Sequence, residues 1–187
     1  MMTPWAARPL RRAAHGNNEC QLEKLQMKIL IFGAGNLILS DEGFGVHFVN
    51  YLEERYLVPE NVELYDGGTL GIMVTHKFEE ADKVFLVDIV DAPGEPGTIH
   101  RYTRDEIMLN RIPVKLSPHQ IGIQEMLYIS ELRGACPQDL TFYGIVPASL
   151  EPGNELSPAV KAGLAEVMRL VAEELREAGV ELLPRAA

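Results

Sequence analysis

After Lys28, Ile29 to Phe32 form a short, continuous apolar run that breaks off in Gly33-Ala34-Gly35-Asn36. A strand that is apolar throughout, rather than at alternate positions, must be covered on both faces, and the glycine-rich break is the turn that ends it. Such a strand commits the chain to a parallel sheet with helices above and below it.

The residues that follow repeat this logic. Gly45, Val49, Leu52 and Tyr56 recur at helical spacing, with Asp41 and Glu42 at the start, where negative charge suits the helix dipole, and Pro59 after the end. A strand near Val62 to Tyr65, a helix carrying Leu70, Met73, Val74 and Phe78, and a strand from Val84 to Val87 complete two βα units by Asp88. After the turn-rich Asp91 to Gly97 come a strand around Thr98 to Tyr102 and a short apolar stretch near Ile112 to Leu116. Ser117, Pro118 and Gln120 then occupy the N-cap, N1 and N3 positions of a capping box, which places His119 in a first helical turn, and Gly134 supplies the stop. Leu140 to Val146 reads as the last core strand. Ser157-Pro158 opens a long helix that carries Val160, Leu164, Val167, Met168, Val171 and Leu175 on one face until Gly179. The expected fold class is α/β: a three-layer sandwich with a twisted, mostly parallel sheet and helices on both faces.

The 187 residues suit one domain with a sizeable core. No internal repeat or long linker divides residues 27–187, which are expected to form a single unit. Residues 1–26 carry Arg8, Arg11 and Arg12 without sustained apolar periodicity, so a disordered extension is expected there, or a true start at Met27. Arg11-Arg12 is followed by no apolar stretch of about 7 to 15 residues, as an export signal would need. Without the extension the net charge moves from minus 10 to minus 12, so the acidity belongs to the domain. An acidic chain lacks the basic footprint of a nucleic-acid protein. Two cysteines, Cys20 and Cys136, make neither a disulfide scaffold nor a CxxC site. No run approaches the roughly 20 apolar residues of a membrane-spanning helix, so a cytoplasmic protein with no membrane partner is expected.

Ligands of open α/β sheets bind outside the carboxyl ends of the strands. Asp41 and Glu42 follow the first strand, Asp66 the second, Asp88 and Asp91 the third, and His119 opens a helix. Carboxylates with an imidazole suit a divalent transition metal such as nickel or zinc, where calcium or magnesium would take oxygen alone. Each residue also has a plain structural use: Glu42 as a helix-start charge, Asp88 as a turn former, His119 as a first-turn residue, Asp66 as the brace of the Gly67-Gly68 turn. Gly33 and Gly35 begin a dinucleotide fingerprint, but Ile38 stands where its third glycine belongs. GxSxG and HExxH are absent, and His76 to Glu80 reads HKFEE, with Glu80 where an inverted zincin needs histidine.

Several short motifs in order resemble one family. Gly33-Ala34-Gly35-Asn36, Asp41-Glu42-Gly43-Phe44-Gly45-Val46, Asp66-Gly67-Gly68-Thr69, Asp88, Pro96-Gly97-Thr98, Ser117-Pro118-His119-Gln120, Gly144-Ile145-Val146-Pro147 and Ser149-Leu150-Glu151-Pro152 look like those of the maturation endopeptidases of nickel–iron hydrogenases. The resemblance spans residues 27–187. It implies an endopeptidase that removes the C-terminal peptide of a hydrogenase large-subunit precursor after nickel insertion, and a monomer that meets this partner transiently. It also implies that Glu42, Asp88 and His119 are the catalytic, metal-contacting residues. The nickel is carried by the precursor, and no permanently bound cofactor is expected. Asp66 is the candidate auxiliary acid or base, with Asp41 and Asp91 as further candidates. Two rivals differ in kind: a nickel-checking chaperone that binds the precursor without hydrolysis, and a peptidase with its own permanent zinc, which would retain metal on purification.

Overall fold

In a computed structural model of the protein, residues 27–109 and 118–185 are described. The extension 1–26, the Ile112 to Leu116 stretch and Ser117 of the expected capping box lie outside them.

The elements run β1 (Ile29–Ala34), a 3-10 turn (Ser40–Gly43), α1 (Phe44–Arg55), β2 (Tyr56–Leu57), β3 (Val62–Gly68), a second 3-10 turn (Gly71–Val74), α2 (Thr75–Glu80) and β4 (Lys83–Ile89). β5 (Ile99–Thr103), α3 (Arg104–Met108), α4 (Pro118–Leu132), β6 (Asp139–Ile145), α5 (Pro158–Glu177) and β7 (Leu183–Pro184) complete them. Five strands form one sheet in the order β3-β1-β4-β6-β5. The β3–β1, β1–β4 and β4–β6 pairs are parallel, and the edge strand β5 is antiparallel to β6. The expected class, a mostly parallel sheet between helical layers, is the one observed.

The two faces follow from the period-two alternation of the strands. Ile29 and Ile31 of β1 with Phe85, Val87 and Ile89 of β4 face α1 and α5, where Phe44, Phe48, Leu52, Val160, Val167 and Val171 meet them. Leu30 and Phe32 with Val84 and Leu86 face the other layer, built from Val74, Phe78 of α2, Ile107 of α3, and Ile123, Met126 and Leu127 of α4. Each large side chain buried here contributes about 1.5–3 kcal/mol. Glycines set how closely the layers approach at the carboxyl ends of the strands. A Cβ on Gly33 would lie 2.0 Å from the Gly45 carbonyl oxygen, and one on Gly45 would lie 2.2 Å from that of Val87.

At the other end of the sheet an ion cluster binds β4, β5 and β6 to α5. Glu174 Oε1 accepts from Tyr143 Oη at 2.6 Å and Arg101 Nε at 2.7 Å, while Oε2 accepts from Thr141 Oγ1 at 3.2 Å and Lys83 Nζ at 3.4 Å. Lys83 also pairs with both oxygens of Asp139 at 2.9 Å.

The structure departs from the sequence reading in a few places. The helix expected around Leu70 to Phe78 is split into a 3-10 turn and the short α2. The β2–β7 pair and α3 were not anticipated; α3 is marked by a capping box in which Thr103 and Glu106 bond reciprocally. Asp66 and Asp88 lie within β3 and β4 rather than after them. Among the described residues, no helix is long and apolar enough to cross a membrane.

Candidate active site

Asp88 and Glu42 reach the same end of the sheet by different routes. β1 lies between β3 and β4, with Gly33 beside Asp66 on one side and beside Val87 on the other. The chain leaves β1 through Gly35, whose φ of 144° and lack of a Cβ let the Glu42 carbonyl oxygen come within 2.0 Å of where that Cβ would stand. Asn36 N–H donates to that same carbonyl at 3.0 Å, and Glu42 N–H donates to Leu39 O at 3.1 Å. The 3-10 turn thus folds back over the strand ends and packs against β4. Glu42 is buried at 2% exposure in this turn, and Asp88 is equally buried near the end of β4. Asp88 accepts the Ile89 N–H on Oδ1 at 2.8 Å.

Strand alternation assigns Asp88 to a face. It shares the parity of Val84 and Leu86, whose side chains pack against α4, whereas Val87 and Ile89 turn to α1 and α5. α4 begins at Pro118, so His119 lies in its first turn, as the sequence indicated, and Gly134 with φ 66° closes the end. The His119 side chain lies outside what is described. Among the described residues, no three of histidine, cysteine, aspartate and glutamate gather as a metal-binding group.

Asp66 is placed differently. It is exposed, on the edge strand β3 and separated from β4 by β1, about 10 Å across two strand spacings. Its Oδ1 accepts the Gly68 N–H at 3.0 Å, which braces the turn at Gly68, where φ is 45°. Asp91 is exposed in the connection after β4.

Asp41, by contrast, is fully enclosed. Its carboxylate accepts from Ala148 N at 2.8 Å, Ser149 N at 2.9 Å, Ser157 N at 2.7 Å and Ser157 Oγ at 2.9 Å. Three of these four bonds fall on Oδ2 and one on Oδ1, so both oxygens are engaged and the carboxylate is tied to the segment that leads into α5. Ser157 precedes Pro158 at the start of α5 without a side-chain cap bond, and its hydroxyl donates to Asp41.

The site therefore holds two buried carboxylates at the carboxyl end of the sheet, Glu42 in the turn after β1 and Asp88 near the end of β4. Such a donor set can approach a divalent transition metal from one side and leave its other positions to groups brought by a second molecule.

Comparison with known proteins follows the same lines. The family model described as hydrogenase maturation protease matches residues 46–174. The Hydrogenase 2 maturation protease of Escherichia coli K12 is 40% identical over 162 residues, which cover 86% of this chain and 98% of that one. The hydrogenase expression/formation protein HupD of Bradyrhizobium diazoefficiens is 38% identical over 161 residues, covering 86% of this chain and 84% of that one. The solved structure of the hydrogenase maturating endopeptidase HybD from E. coli superposes with a TM-score of 0.79 at 38% identity, covering 85% of this chain and 98% of that chain.

Proposed function

Since this chain belongs to the hydrogenase maturation protease family, we propose that it is the endopeptidase that removes the C-terminal peptide of a nickel–iron hydrogenase large-subunit precursor once nickel is in place. The observation that carries this reading is the placement of Glu42 and Asp88, both 2% exposed, at adjacent strand ends on the sheet whose α4 layer opens with His119.

Nickel enters as part of the substrate. In the precursor it is held by the substrate's own groups, and Glu42, Asp88 and His119 complete its coordination, so the tail is presented for cleavage only when the ion is there. Cleavage is hydrolysis: water adds to the scissile carbonyl carbon, the C–N bond breaks, and the released amine takes up a proton. A carboxylate at the site accepts the proton that water loses. Asp66 serves as the auxiliary acid or base from the rim, and Asp41 takes no part in proton transfer because its enclosed carboxylate is committed to Ala148, Ser149 and Ser157. The reaction takes place in the cytoplasm, with one copy of the chain meeting one precursor.

The test is mass spectrometry of a nickel-loaded large-subunit precursor incubated with the protein, with its His119→Ala variant, and in a nickel-free control. Loss of a short C-terminal peptide only with the unaltered protein and nickel is the expected result. Stable binding of a matched precursor without any mass loss would overturn the peptidase reading in favour of a nickel-checking chaperone. Zinc retained stoichiometrically by the protein alone would overturn the substrate-borne metal.

A further inference from the structure

Glu42 is carried by a short turn, and turns of this length do not hold a side chain in place by themselves. Residues 148–157, which join β6 to α5, hold this one from outside. Ser40 N–H donates to Gly153 O at 2.8 Å, Gly153 N–H to Ile38 O at 3.0 Å, and Asp41 N–H to Ser149 O at 3.3 Å. Ser40 Oγ donates to Glu151 O at 2.8 Å. Ser40 itself has φ 48°, a left-handed conformation that disfavours any side chain and persists only where the surroundings fix it. A Cβ on Gly153 would lie 2.6 Å from Ser40 Oγ, so the two segments meet with no room to spare.

Asp41 fastens the two segments most heavily, through the four bonds described above, against the single side-chain bond from Ser40. The segment it grips is rooted beside the other carboxylate. β6 pairs with β4 through Gly144 opposite Asp88, and Val90 N–H donates to Ile145 O at 2.9 Å. Glu42 comes from the β1 side and Asp88 from β4, and the 148–157 strap ties the Glu42 turn to the strand next to Asp88.

We propose that Asp41 is a positioning residue: it buckles the 148–157 strap to the 3-10 turn and thereby fixes Glu42 relative to Asp88. The inference rests on the role given to Glu42 above. Asp41→Asn keeps the volume but turns one oxygen into an amide donor facing N–H and O–H donors, which opens the buckle. Weakened support of a metal-contacting group costs about 10–100-fold. The expected result is therefore a fall of that size in kcat on nickel-loaded precursor, with KM held within about two-fold.

Two companions separate positioning from stability. Val167→Ala removes core volume on α5 away from the buckle, and is expected to keep kcat at a comparable loss of thermal stability. Gly153→Ala presses on the strap without touching the Asp41 carboxylate, and is expected to lower kcat by an intermediate factor. Hydrogen exchange followed by mass spectrometry should show residues 38–43 and 148–153 losing protection together in Asp41→Asn but not in Val167→Ala. A wild-type kcat in Asp41→Asn, or a loss that Val167→Ala reproduces, would overturn the inference while the proposed function stands. If Asp41→Asn does not fold, wild-type kcat in Gly153→Ala overturns it. If the unaltered protein leaves the precursor intact, the proposed function fails, and unchanged protection of residues 38–43 in whichever variant folds still overturns the buckle.

Discussion

Glu174→Ala removes the acceptor at the centre of the cluster that joins β4, β5 and β6 to α5. In the folded protein the Glu174 side chain is 15% exposed, and truncation affects four partners, of which Thr141 keeps Arg101 Nη2 at 3.5 Å. The buried Tyr143 hydroxyl loses its acceptor at 2.6 Å, and an unpaired buried polar group costs about 1–3 kcal/mol. Arg101, half exposed, can turn to water and costs little. Lys83, with 8% of its side chain exposed, keeps Asp139 at 2.9 Å, so its ammonium does not become an orphan charge. The sum is therefore about 1–3 kcal/mol, carried mainly by the stranded hydroxyl. At about 2–4 °C per kcal/mol for a chain of this size, Tm should fall by about 2–12 °C in calorimetry. Acid adds a second arm. Burial works against the charged form of Glu174, but the bonds from Arg101 and Tyr143 and the Lys83 charge outweigh it, so its carboxyl titrates below the ordinary value. The stability from this ionisation is fully present above the unfolded value of about 4.3 and is lost as pH falls through the lower folded value. The gap between the protein and Glu174→Gln should accordingly narrow between pH 7 and pH 3. A loss in Glu174→Ala below about 1 kcal/mol at pH 7, or a Glu174→Gln gap that does not narrow in acid, would refute this account of the cluster.

Gly45→Ala drives a methyl to 2.2 Å from the Val87 carbonyl and 2.3 Å from that of Ala34, both backbone atoms that cannot step aside. A destabilisation of about 3 kcal/mol, at the upper end for overpacking, is expected in denaturant unfolding, together with loss of activity as α1 and the turn before it lift from the strand ends. Asp66→Asn keeps an oxygen for the Gly68 N–H, so Tm should stay within about 1 °C because surface changes that preserve contacts cost under ~0.5 kcal/mol. Precursor cleavage by the same variant should fall about 100-fold if the carboxylate moves protons, and an unchanged rate would leave Asp66 a turn brace alone.

The sequence made the centre of the sheet readable because β1, β4 and β6 are buried on both faces, and a continuous apolar run between glycine turns has few other uses. The direction of β5 was not readable from its residues. It follows from the connection instead: residues 90–98 contain no helix, and a parallel return generally needs a crossover of a dozen or more residues. The chain passes over the position of β6 and comes back antiparallel at the edge. The ends of β3 and β4 were likewise hidden, because Asp66 and Asp88 look like turn formers while their backbone still pairs with β1 or β6. Here tertiary pairing overrides local preference.

Asp41 and Glu42 show where pattern reading stops. Neighbours of the same charge in front of a helix give the same signal, and both were read as charges suited to the helix that follows. Asp41 does sit at a helix N-terminus, but at that of α5, whose Ser157 is 116 positions away in sequence. No local window contains that helix. Once Asp41 is bound there, both its oxygens are engaged and its backbone is held by the 148–157 strap. Glu42, next in the chain, is carried on the same 3-10 turn, which packs against β4. The assignment of roles within this acidic pair is thus made by a long-range contact, and a site that looks like two candidate acids in sequence is divided by the fold into one acid that holds and one that is held.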